Sequence, residues 1–299
     1  MGNKNHAECE EEKVILISML QLPAILMSRV RVRLQVERIR DFLWFPEAVI
    51  RGALGYYWHD EGAQYEDLYY LFFGREINRG AGGNLIATPP HGGRLVITPT
   101  EIADCADLEL TLFGDNANLI PRFIDSLQVL GQEGVGERRN RFNVVGEGST
   151  RSGLLPDFLS PLPQCVSKSC KLTMDAPMTL RQFGGQIIDC WDKSSFASNL
   201  VQRAVQLNQF YGTGESLNWN TADLVSDFDN VVCWDDTACW HRSRVSSRHG
   251  NRVNYSGFCG VVFMHDITKE NYDLLRIGEQ LAVGKNTVFG SGGFVLTSV

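Results

Sequence analysis

Two stretches of this chain follow one plan: PRFIDSLQVLGQEGVGERRNRFNVV, residues 121–145, and NYDLLRIGEQLAVGKNTVFGSGGFVL, residues 271–296. Each reads as an amphipathic helix, glycines beside one or more cations, then an apolar strand. A unit that recurs in both halves of a chain means two copies of one supersecondary design. The surrounding order agrees. RVRVRLQVE, Arg29–Glu37, alternates strictly, with Val30, Val32, Leu34 and Val36 on one side and Arg29, Arg31, Arg33 and Gln35 on the other. That is a half-buried strand with a cationic face. Pro46 opens a helix through PEAVIRGALGYYWHD, since proline is tolerated in a first helical turn. Tyr65–Phe73 continues helical to Gly74, RLVITP and LELTLFG read as strands, and Asn116–Leu130 reads as a helix. After a Pro-, Ser- and Gly-containing stretch the order recurs. It runs through KLTMDAPMTLR, a helix over Ser194–Tyr211, strands near 231–247 and 253–264, a helix over Thr268–Leu281 and a last strand. The expected fold class is α+β, two tandem ferredoxin-like (βαββαβ) domains. The expected organisation is a tail or extension over 1–28, a first domain over 29–148, a linker over 149–168 and a second domain over 169–299.

Composition fits that plan. The 299 residues suit two domains of roughly 130–150 residues each. With 43% hydrophobic and 21% charged residues the chain is globular, not disordered. Asp and Glu outnumber Lys and Arg 35 to 28, so an overall basic footprint is excluded and any anion site is local, built from clustered arginines. The eight cysteines form no CxxC pair, which favours reduced thiols and predicts no metal and no cofactor. The apolar run Val14–Met27 is too short to span a bilayer and follows an acidic segment where a signal peptide needs positive charge. The expectation is a cytoplasmic protein with no membrane partner.

Glycines beside cations free backbone N–H groups to cradle an anion. A single such glycine reads better as a tight turn, but two loops in equivalent places, each carrying cations, point to phosphate. Nucleotide loops fail on spacing: five residues separate Gly278 from Gly284 where a Walker loop has four, and Asn286 follows Lys285 where Ser or Thr is required. Arg138, Arg139 and Arg141 flank the first loop, and Lys285 sits in the second. Arg242, Arg244, Arg248, His249 and Arg252 flank a hairpin. Phe142, Trp240, Tyr255, Phe289 and Phe294 interleave with these cations, a composition suited to unpaired bases. The clusters favour RNA; solvated cationic faces over core aromatics, and a phosphometabolite enzyme, are the competing readings.

RGALGYYW at 51–58, the glycine-loop segment 110–145, WHRSRVSSRHG at 240–250 and LLRIGEQLAVGKNTVFGSGGFVL at 274–296 resemble one family. It is that of the CRISPR-associated pre-crRNA-processing endoribonucleases of the RAMP superfamily, the Cas6 family. The resemblance implies two ferredoxin-like domains and metal-independent cutting of repeat RNA, by 2′-OH attack giving 2′,3′-cyclic phosphate and 5′-OH ends. It implies CRISPR repeat RNA or crRNA as partner, and leaves other CRISPR effector subunits and a homodimer open. The candidate catalytic residues that remain on this chain are His59, at the end of the first helix, His249, in the Arg-rich hairpin, and Lys285. The candidate RNA-binding residues are Arg138, Arg139, Arg141, Arg244, Arg248, Gly284, Lys285, Gly290 and Gly292. Many relatives carry His immediately before Val-Gly-Lys; here that position is Ala282, so the resemblance also allows an inactive subunit that holds crRNA.

Overall fold

The computed structural model describes residues 20–43, 46–74, 89–160, 168–182, 185–245 and 252–299. The first half carries β1 (Leu26–Val36), α1 (Ile39–Phe42), α2 (Pro46–Glu61), α3 (Glu66–Phe73), β2 (Gly93–Pro99), β3 (Cys105–Phe113), α4 (Ile120–Glu133) and β4 (Phe142–Glu147). Its strands pair antiparallel in the order β2-β3-β1-β4. Next come β5 (Arg151–Leu154) and α5 (Leu155–Phe158). The second half carries β6 (Ser169–Met178), β7 (Leu180–Arg181), β8 (Ile187–Ile188), α6 (Lys193–Tyr211), α7 (Thr221–Asp227), β9 (Val232–Val245), β10 (Arg252–His265), α8 (Lys269–Leu281) and β11 (Val295–Ser298). Its main sheet runs β11-β6-β10-β9. In both sheets the unit's first strand sits between its third and fourth. The expected pair of tandem ferredoxin-like folds is what the chain forms.

Local chemistry explains the elements. In β1 the inward residues Val30, Val32, Leu34 and Val36 are 0–1% exposed, as the alternation predicts. The outward arginines are not left bare: Arg29 and Arg31 face Glu109, and Arg33 faces Asp107 at 2.8 Å. α8 starts on a reciprocal cap, with Thr268 Oγ1 accepting from Asn271 N–H and Asn271 Oδ1 accepting from Thr268 N–H, both at 3.1 Å.

Three parts of the chain hold structure beyond the elements read from the sequence. β1 begins at Leu26, not Arg29, and Leu20 and Ile25 are already buried. The stretch expected as linker contains β5, which pairs with the start of β1, and α5, which buries Leu155 and Phe158. The polar segment after α6 folds α7, whose Leu224 joins the second core. In each case a few apolar residues docking on a neighbour outweigh the local Gly, Pro and Ser content.

The two cores exchange residues. Ile25, Met27 and Phe113 of the first sheet lie in the second core, and Val288 from the C-terminal loop lies in the first. Tyr211, the last residue of α6, packs against both and donates to the Pro90 carbonyl at 2.7 Å. Among the described residues no helix is long and apolar enough to cross a membrane.

Candidate nucleic-acid interface

Both glycine loops touch the first turns of α2. A Cβ on Gly136 would stand 3.3 Å from Val49, and one on Gly290 would stand 3.5 Å from Glu47. The first loop is a closed turn, with Val135 and Asn140 bridging it. The Asn140 side chain accepts from Arg38 N–H at 3.2 Å and donates to Arg38 C=O at 2.8 Å. Arg138 is held by Asp41 at 2.7 Å, and that hydrogen bond raises its pKa. Arg139 has φ +46° with its carbonyl against Gly134, and Arg141 lines an open hollow of about 600 Å³.

The second loop is laced into the protein rather than open. Lys285 N–H donates to Thr179 C=O at 2.8 Å, and Gly292 N–H donates to Pro177 C=O at 3.0 Å. A Cβ on Gly284 would meet the Thr179 oxygen at 2.2 Å, and one on Gly292 would meet the Val283 oxygen at 1.9 Å. Gly290 has φ +79° and lies against the Leu95 carbonyl of β2. These glycines make room for protein backbone, which differs from the expectation that their bare faces meet RNA phosphate. Ala282 is 0% exposed at φ +58° and ψ +157°, a conformation that glycine adopts at low cost and other residues do not. A His placed there would enter the core, so this position offers no proton-transfer group to solvent. Lys285 remains partly exposed beside Arg181, and burial together with that neighbour lowers its pKa.

A continuous strip leads from α2 to this loop. Arg51, Gly55 and His59 share a face of α2 at i, i+4 spacing. The absent side chain of Gly55 lets the Phe73 ring lie against the helix, since a Cβ there would meet it at 2.5 Å. The Arg51 guanidinium lies 4.0 Å from the Phe73 ring centre and 4.7 Å from that of Phe289, and donates to Phe72 C=O at 2.7 Å. Tyr69 stacks on Phe73 at 5.0 Å and stands 6.1 Å from the His59 ring, while Phe289 meets Tyr255 edge-on at 5.9 Å. His59 itself is 70% exposed, with Nδ1 3.5 Å from Asp60. Arg51, Tyr69 and Phe73 were missed by sequence reasoning. YLFF reads as core, and only the i, i+4 register of Arg51 with His59 could have flagged the arginine.

A second cationic group lies in the seam between the sheets. Arg29 donates to Gln280 of α8 at 3.2 Å. Arg94, on β2, is 8% exposed and packs against Gly293. Burial lowers the pKa of Arg94 and of Arg203 on α6 to about 10, so both stay charged at neutral pH. Among the described residues, the Nε atoms of Arg94 and Arg203 have no hydrogen-bond partner. Arg244 lies in β9, its backbone paired with Val253, while Arg248 and His249 lie outside the described residues. The structure thus gathers Gly284, Lys285, Gly290 and Gly292 in one loop and ties it through Arg51 and the aromatics to His59, with Arg138, Arg139 and Arg141 on the other loop.

Comparison with known proteins places this geometry. Residues 172–294 match the family of the CRISPR-associated endoribonuclease Cas6. No curated protein matches the chain significantly. Among solved structures the chain is similar to a Cas6 (TTHB231) product complex, at 15% identity and a TM-score of 0.59 over 91% of this chain and 99% of that one. Thermus thermophilus Cas6 (TTHB231) gives 13% and 0.55 over 92% and 99%. A Cas6 (TTHA0078) product complex gives 16% and 0.54 over 92% and 100%. The family match thus lies in the second half of the chain, and the fold is shared with these Cas6 structures over nearly its whole length.

Proposed function

We propose that the chain binds CRISPR repeat RNA along the strip from His59 to the C-terminal loop and cuts it there once per repeat, without a metal ion. The observation that carries this is the strip itself, an exposed imidazole joined through Tyr69, Phe73, Arg51 and Phe289 to a rigid loop bearing Lys285. Unpaired bases stack on such rings. The RNA 2′-OH attacks the adjacent phosphate and the 5′-oxygen leaves, giving a 2′,3′-cyclic phosphate and a 5′-OH. His59 serves one of the two proton transfers, each worth about 10²–10⁴-fold. His249 is the candidate for the other. Lys285 and Arg51 supply the charge that the phosphorane needs. Incubation with end-labelled repeat RNA in EDTA should give one discrete cut with a cyclic phosphate end. No cut, or a cut that appears only on adding a divalent metal, would contradict the proposal.

One observation favours a second reading, in which the chain holds RNA without cutting it. Position 282 holds a buried alanine, and the loop over 282–294 carries no histidine. Tight, salt-sensitive binding with no product from any repeat variant would support that reading.

A further inference from the structure

Among the described residues, the second sheet has helices on one side only. Leu172, Met174, Val262 and Met264 point into the core with α6 and α8, and each is 0–2% exposed. The alternate residues of the same strands point away from the helices. On that open side the pairing register sets Trp234, Phe263, Lys171 and Thr297 side by side, one from each of β9, β10, β6 and β11. Trp234 is 60% exposed, and its ring lies 5.4 Å from that of Phe263 at 37°. In the next row Ser169 and His265 share a hydrogen bond of 2.8 Å, and on the other flank Asp236, Val261, Thr173 and Val295 form a row that carries one exposed carboxylate.

We propose that this open face is a second RNA-binding surface, on which two unpaired nucleotides of the single strand leading away from the cut site stack against Trp234 and Phe263. The inference rests on the reading that the protein handles RNA. Three features choose RNA over a protein partner. The centre of the row holds a lysine next to two rings, whereas cores of protein interfaces are depleted in lysine and serine. Two neighbouring tilted rings with a cation and hydroxyls at their side suit bases, a phosphate and base edges or 2′-hydroxyls together. The face is also continuous with the strip. Tyr255, which meets Phe289, occupies the same alternation of β10 as Phe263, eight residues away, or about 27 Å along an extended strand. A single strand leaving the cut site along β10 reaches Trp234.

The test is equilibrium binding of two repeat RNAs, one with its single-stranded flanks and one trimmed to the structured part, by the full chain, Trp234→Ala, Phe263→Ala and Trp234→Phe. The expected result is about tenfold weaker binding of the flanked RNA by each alanine variant, unchanged binding of the trimmed RNA, and near-complete retention by Trp234→Phe. Equal affinity of the wild type and both alanine variants for the flanked RNA overturns the proposal, whether or not those variants change oligomeric state. A parallel loss for trimmed and flanked RNA also overturns it. If the wild type binds neither RNA, the RNA-processing reading itself fails, an outcome separate from both.

Discussion

The two glycine loops are nearly interchangeable on paper and do different work in the molecule. The first closes on itself and pins the chain after β1, through Asn140 and the Arg138–Asp41 pair. The second crosses to the other domain, burying Val288 in the first core and setting Phe289 against Arg51. A repeated pattern therefore repeats the backbone plan, while the role is decided by what the loop packs against. The second loop is the one joined to the exposed histidine.

That contrast can be broken by substitution. Gly292→Ala puts a Cβ on the Val283 oxygen at positive φ, so a loss of at least ~3 kcal/mol is expected in urea unfolding. Gly136→Ala, in the first loop, meets only a methyl of Val49 at 3.3 Å and should cost about 1 kcal/mol, mostly from its φ of +71°. Equal costs would mean the loops are equally constrained. Val288→Ala should lose ~2 kcal/mol by emptying a site in the first core. Asn140→Ala removes two hydrogen bonds to the Arg38 backbone and should lose about 1–2 kcal/mol while leaving RNA cleavage near wild type. Ala282→Gly should gain ~0.5–1 kcal/mol by relieving the backbone. A loss there would show the Ala282 methyl outweighs its strain. The smallest effect concerns Asp107, whose carboxyl the Arg33 hydrogen bond holds below its ordinary 3.8. Its stabilisation is present above that value and lost as pH falls through the lowered folded-state pKa. Asp107→Asn should remove that acid dependence and cost only ~0.5 kcal/mol at neutral pH, because Arg33, 41% exposed, is screened by solvent.

Much of the fold was legible. Strict alternation in β1 and the two helix–glycine–strand units imply the tandem arrangement, because period and glycine placement are local properties. β5, α5 and α7 were not legible, since each exists by docking a few apolar residues on elements distant in sequence. The site was legible only in part. His59 and Lys285 stand out by residue type and by the family resemblance. Arg51, Tyr69 and Phe73 do not, because their role comes from a helix face meeting a loop more than 200 residues away. The glycines of the second loop stood out for a ligand and turn out to accommodate backbone. A missing Cβ looks the same in sequence whether phosphate or a carbonyl fills the space.

The central claim is that RNA is cut at the His59 end of the strip. Its most direct test is single-turnover cleavage of repeat RNA by His59→Ala at saturating protein, with affinity measured on the same preparation. The account predicts cleavage at least ~100-fold slower at nearly unchanged affinity. A wild-type rate would contradict it.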